Sequence, residues 1–88
     1  MRDSLRGSRE ISDDKLVEQA CFGDGRAFGI LVRRHHASAY RVALSITRQE
    51  DIAQDVVQDA FIKAFRALGG FRGDSSFRTW MMTVTANE

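Results

Sequence analysis

Two groups of side chains in this 88-residue sequence are placed to do directed chemistry. Asp55, Gln58 and Asp59 fall at i, i+3 and i+4, so on a helix they present two carboxylates and an amide on one surface. Such a surface is either a solvated helix face or a docking face for a basic partner helix, in which the carboxylates fix register and the amide adds direction. Spacing alone leaves both readings open. The second group is aromatic. Five of the eight aromatic residues, Phe61, Phe65, Phe71, Phe77 and Trp80, lie between positions 61 and 80, interleaved with Arg72 and Arg78. Arginine attracts phosphate and a ring accepts the face of a base, the combination that holds an unstacked nucleic-acid strand. Phe61, Phe77 and Trp80 are also at core spacing, so packing is their plainer role. Phe71, in a glycine-flanked loop, is the one that packing explains least. Thr79, Thr83 and Asn87 form a polar row at i, i+4 and i+8, able to read base edges or simply to be solvated.

Catalysis finds little support. His35 and His36 are neighbours and point about 100° apart on a helix, so they cannot share a metal. His35 falls on an apolar stripe and reads as a satisfied interior or boundary histidine. No Glu-x-x-His pair suggests a bundle metal site. Cys21 has no evident base partner, and neither a P-loop nor a dinucleotide fingerprint is present. No enzymatic activity, metal or cofactor is expected.

Those residues need elements to position them. Proline is absent, which suits uninterrupted helices, because proline removes a backbone donor and clashes within a helix. A single cysteine excludes an intramolecular disulfide and fits a reducing cytoplasm. No apolar run approaches the roughly 18 residues of a membrane span, and the charged start MRDSLRGSREISDD lacks a signal peptide's apolar region. A cytoplasmic domain without membrane insertion is expected. Thirteen Lys and Arg against twelve Asp and Glu give a net charge of only +1, so global basicity does not announce nucleic acid. The distribution is uneven: residues 25–48 carry five arginines and no acid, and residues 50–59 carry four acids and no base.

Residues 1–11 read as a mobile leader and 12–88 as one helical domain. Ser12 is placed to cap a first short helix carrying Leu16, Val17, Ala20 and Cys21. Gly23-Asp24-Gly25 ends it, and Asp24 caps the next. A long second helix, about Arg26 to Thr47, shows an apolar stripe of Phe28, Leu31, Val32, His35, Ala39, Val42 and Ile46. Arg34, Arg41 and Arg48 recur every seven residues on its other side. A third helix runs from about Glu50 to Leu68, with Val56, Val57, Ala60, Phe61, Ala64 and Leu68 inward, and Gly69-Gly70 is expected to end it. Ser76 caps a fourth, with Phe77, Trp80, Met81 and Val84 inward. The expectation is an all-α bundle of about four helices with one long helix pair, in a chain cut inside its last helix.

The segments Asp55-Val56-Val57-Gln58-Asp59-Ala60-Phe61 and Phe71-Arg72-Gly73-Asp74-Ser75-Ser76-Phe77-Arg78-Thr79-Trp80 give this sequence a resemblance to a known family. It resembles region two, the promoter minus-ten-binding domain, of extracytoplasmic-function (ECF) sigma factors of bacterial RNA polymerase. The similarity extends upstream through Ser12–Val17, Gly23–Phe28 and Leu31–Arg34. The resemblance implies that Asp55, Gln58 and Asp59 dock on the clamp helices of the largest polymerase subunit. It implies that the loop from Gly70 through Phe71, Arg72, Gly73, Asp74 and Ser75 captures a base flipped from the non-template strand, with Phe71, Ala67 and Asn87 walling the pocket. Lys63, Arg66, Arg72 and Arg78 are then the nearest phosphate contacts, and an anti-sigma factor is an expected partner.

The sequence also departs from that family. Met82-Thr83-Val84-Thr85-Ala86 stands where an aromatic or aliphatic residue and Arg-Ile-Ala are common, so Thr83 brings no charge to the DNA face. Only Trp80 is present where housekeeping sigma factors pair two tryptophans, and a minus-thirty-five-reading domain is not expected within these 88 residues. Weak binding to DNA in isolation is therefore expected. A helix-turn-helix reader fits less well, because the fourth helix offers an apolar stripe and threonines in place of exposed Arg, Asn or Gln. A helical protein-interaction domain without nucleic-acid function is the other alternative.

Overall fold

A computed structural model describes residues 11–88. The leader expected at the start of the chain lies outside the described residues except for Ile11, which packs against the core. Helix α1 spans Asp13–Cys21, and the Ser12 hydroxyl accepts from the Lys15 N–H at 3.1 Å. Asp13 and Asp14 occupy its first turn, where carboxylates favour the positive end of the helix dipole. Leu16, Val17 and Ala20 are buried. Cys21, expected beside them, is exposed; its Sγ lies 3.8 Å from the Leu68 carbonyl oxygen. The turn that follows uses Gly23 at φ 99°, a conformation that a Cβ disfavours.

Helix α2, Gly25–Thr47, is started by the Asp24 carboxylate, which accepts from the Arg26 and Ala27 N–H groups at 3.0 and 3.4 Å. It buries Ala27, Phe28, Leu31, His35, Ala39 and Ala43. The expected stripe drifts at its C-terminal end, where Ala43 is buried, Val42 is half-buried and Ile46 is 59% exposed. The physical reason is the connection that follows. Arg48 takes the left-handed conformation, φ 61°, and its N–H bonds to the Leu44 carbonyl at 2.8 Å. The chain thereby folds back over the alanine side of α2.

Helix α3, Glu50–Ala67, buries Ala53, Val57, Ala60, Phe61 and Ala64. It does not end on a left-handed glycine as the Gly69-Gly70 pair suggests. Residues Leu68–Gly70 tighten into a 3-10 turn, with the Phe71 N–H bonded to the Leu68 carbonyl at 3.0 Å. Positive φ is instead found at Gly73 (79°), within the loop. Helix α4, Phe77–Ala86, begins at Ser76, whose hydroxyl accepts from the Thr79 N–H at 3.1 Å. It buries Phe77, Met81 and Thr85. Thr85 enters the core without an orphaned hydroxyl by donating to the Met81 carbonyl at 2.9 Å.

The architecture is the expected all-α bundle, with α1, α3 and α4 each packed on the long α2. Six alanines (27, 39, 43, 53, 60 and 64) are at most 2% exposed, and small side chains allow α2 and α3 to approach closely. Leu16, Leu31 and Met81 fill the remaining interior, and truncating such a residue to alanine costs about 2–5 kcal/mol.

Candidate docking face and nucleic-acid loop

The acidic residues of α3 are where the spacing puts them. Asp51, Gln54, Asp55, Gln58 and Asp59 are all exposed. Among the described residues, neither Asp55 nor Asp59 takes part in an ion pair, so both carboxylates are available to a partner. Gln54 and Gln58 border a groove between α2 and α3, about 910 Å³, whose apolar lining includes Phe28, Val57, Phe61 and Phe65. Ile62 and Phe65 on its rim are 45% and 48% exposed. A carboxylate row beside an apolar groove can grip a helix by charge at the edge and by burial at the centre.

The aromatic window does not form one cluster. Phe65 turns to Phe28, with centroids 5.0 Å apart, and Phe61 packs edge-on to Phe28 at 6.5 Å and stacks with His36 at 6.4 Å. These rings belong to the α2–α3 groove. Phe71, Phe77 and Trp80 form a separate group: Phe71 lies 6.1 Å from Phe77 and 5.2 Å from Trp80. Phe71 is therefore half-buried and has packing partners, contrary to the expectation that packing accounts for it least. Its ring is held by Phe77 and Trp80, the first and fourth residues of α4, so the loop is anchored where it meets the helix.

Arg72, Gly73, Asp74 and Ser75 are exposed. A small cavity of about 220 Å³ opens between this loop and α1, lined by Asp14, Val17, Glu18, Phe71, Arg72 and Gly73. Neither Ala67 nor Asn87, expected to wall a pocket with Phe71, lines it; both are exposed, Ala67 at the end of α3 and Asn87 just past α4. A second groove, about 820 Å³, joins the start of α1 to Gly73–Phe77.

The expected phosphate contacts fall in different places. Arg72 is on the loop and Arg66 borders the α2–α3 groove. Lys63 Nζ is 3.1 Å from Glu88 Oε1, tying α3 to the end of the chain. Arg78 Nη2 reaches across to Ser38 Oγ at 3.2 Å. In the threonine row, the Thr83 hydroxyl donates to the Thr79 carbonyl at 3.1 Å and the Thr79 hydroxyl accepts from Ser76 at 3.0 Å, so both have local partners.

His35 is satisfied inside, as its position on the stripe suggests. Its Nε2 is 2.7 Å from Asp13 Oδ2, and its ring is 5.4 Å from that of Phe77. The tertiary role of Asp13 was missed, because a contact spanning 22 positions leaves no local signal. Among the described residues, no group of three His, Cys, Asp or Glu side chains can hold a metal ion. No described helix is long and apolar enough to cross a membrane.

Comparison with known proteins places this arrangement. Residues 31–88 match the family model for Sigma-70 region 2. The RNA polymerase sigma-H factor of Pseudomonas aeruginosa is 45% identical over 75 residues, covering 85% of this chain and 39% of that protein. The ECF RNA polymerase sigma-E factor of Escherichia coli is 42% identical over 80 residues, or 91% of this chain and 41% of that protein. The chain thus spans about two fifths of the length of these curated relatives. An engineered region 2 of sigmaE, solved by NMR in complex with GTAAAA, superposes with a TM-score of 0.80 at 37% identity, covering 89% of this chain and 81% of that one. CnrH, solved in complex with the cytosolic domain of CnrY, gives a TM-score of 0.78 at 41% identity over 85% of this chain and 49% of that one. With its exposed acidic face on α3 and its Phe-Arg-Gly-Asp-Ser loop ahead of α4, the chain belongs to the sigma-70 region 2 family, as the region 2 domain of an ECF sigma factor.

Proposed function

We propose that this domain acts in transcription initiation in the bacterial cytoplasm, docking on RNA polymerase core and recognising the promoter minus-ten element. Asp55, Gln58 and Asp59 meet the clamp helices of the largest polymerase subunit. The loop from Gly70 to Ser75 receives a base flipped from the non-template strand, with Phe71 beneath it and Arg72 beside the backbone. The observation that carries this reading is the likeness, at a TM-score of 0.80, to a region 2 bound to GTAAAA. Flipping a base costs a few kcal/mol of unstacking, least where the duplex is already open. Capture of a strand melted with the help of polymerase is therefore the economical mechanism. The likeness to CnrH, solved with the cytosolic domain of CnrY, supports an anti-sigma segment as a further partner that covers the same surfaces.

The test is a titration of this chain with polymerase core against single-stranded oligonucleotides varied at each minus-ten position. Affinity dominated by one or two positions is expected. Equal binding to every sequence would refute base capture, and absence of core-dependent enhancement would refute docking.

A further inference from the structure

The basic side of α2 has no part in the function proposed above, yet the fold brings one of its arginines to α4. Arg41 Nη2 is 3.4 Å from Ser38 Oγ, and Arg78 Nη2 reaches the same oxygen at 3.2 Å from a position 40 residues away. Two guanidinium groups thus share one hydroxyl. Among the described residues, no carboxylate lies within ion-pair distance of either one. Both arginines are exposed, and Ser38 is half-buried beneath them. A serine oxygen has two lone pairs and one proton. With both guanidinium groups donating to the oxygen, the proton remains to be donated outward, and among the described residues no acceptor takes it. Donors therefore outnumber acceptors here, and like charges meet without a counter-charge. An anion with several acceptor oxygens satisfies both conditions at once.

We propose that Ser38, Arg41 and Arg78 form a site for a backbone phosphate of the promoter strand, carrying the DNA track from the loop onto α2. This rests on the minus-ten reading above. The position of Arg78 favours a nucleic-acid phosphate over an acidic peptide. It is the second residue of α4, directly after the loop that takes the base, so a strand leaving the loop passes it first. The site carries no sequence information, since it contacts only the backbone. It explains why an arginine of α2 belongs to the DNA surface although that helix is remote from the loop in sequence.

The experiment measures binding of this chain to single-stranded GTAAAA and to a scrambled strand, by fluorescence anisotropy, between about 50 and 200 mM salt. Arg41→Gln is expected to weaken both strands roughly threefold to tenfold at the low-salt end, and to reduce the slope of log K against log salt by about 0.7, the value for one phosphate on a single strand. Arg41→Lys should retain most of the slope, and Ser38→Ala should weaken both strands alike. Unfolding midpoints of all three variants are measured alongside, so that a loss of fold is not read as a loss of contact. An Arg41→Gln variant with unchanged affinity and slope overturns the proposal. So does a variant that loses binding to poly-glutamate while keeping its oligonucleotide affinity, which would assign the site to an acidic protein. If the unmodified chain fails to distinguish GTAAAA from the scrambled strand, the minus-ten reading fails, while the change of slope still decides the phosphate site.

Discussion

The Nε2 atom of His35 lies 2.7 Å from Oδ2 of Asp13, while Oδ1 of the same carboxylate takes Arg34 Nη1 at 3.0 Å. One aspartate in the first turn of α1 thus holds two consecutive residues of α2, and the His35 ring rests against Phe77 at the head of α4. The contact joins three helices at the point where the loop enters α4.

Asp13→Ala should therefore destabilise the domain by about 1–3 kcal/mol, the cost of leaving the buried His35 ring without its hydrogen-bond partner. The measurement is urea unfolding followed by circular dichroism. Asp13→Asn keeps one acceptor oxygen and should fall between wild type and alanine. A loss below the error of the fit would show that solvent replaces the carboxylate freely.

Asp55→Arg should leave stability within about 0.5 kcal/mol of wild type, because the side chain is exposed and makes no ion pair among the described residues. Binding to polymerase core should fall sharply through charge reversal. A pull-down with purified core decides it, and undiminished capture would remove Asp55 from the docking face. Gln58→Ala should have a smaller effect in the same direction.

Phe71→Ala should have two consequences. Loss of contact with Phe77 and Trp80 should lower stability by about 1–2 kcal/mol, less than for a fully buried ring because Phe71 is half-exposed. Binding to a single-stranded minus-ten oligonucleotide should fall more than binding to duplex. Phe71→Leu, which keeps part of the packing, separates the two effects. Equal losses on single strand and duplex would point to destabilisation alone.

If Lys63 is a phosphate contact, Glu88→Gln should strengthen oligonucleotide binding slightly, since Glu88, 3.1 Å from Lys63, would compete with the phosphate. The pair is largely exposed on the lysine side, so its own contribution to stability is about 0.2–1 kcal/mol at most. Anisotropy at low salt is the appropriate readout. Weaker binding would mean that the pair orders Lys63 for contact.

The helices and their starts were legible in the sequence because each signal is local. Ser12, Asp24 and Ser76 are caps that act within three residues of themselves, and the acidic row of α3 follows from spacing alone. What was not legible depends on how helices meet. Ile46 fits the period of α2 as well as Ala43 does, and only the left-handed turn at Arg48 decides which faces α3. The aromatic window looked like one group because its members are close in sequence. It divides because Phe61 and Phe65 sit on one helix face and Phe71 follows a 3-10 turn that redirects the chain. The joining of Asp13 to His35 and of Ser38 to Arg78 spans 22 and 40 positions, beyond any periodicity.

Helix α3 carries the proposed docking residues at one end and delivers the chain to the loop at the other, with no break between. Ala67 lies twelve positions beyond Asp55, so the helix is a ruler of roughly 18 Å between the two surfaces. It is also a protractor. Inserting one residue after Ile62 would turn everything beyond it by about 100° relative to the acidic row. The domain could not absorb that rotation, since Ala60 and Phe61 before the insertion and Ala64 after it all lie in the core. Length and phase of this one helix therefore set where the proposed base-capturing loop would stand once the proposed docking face is seated.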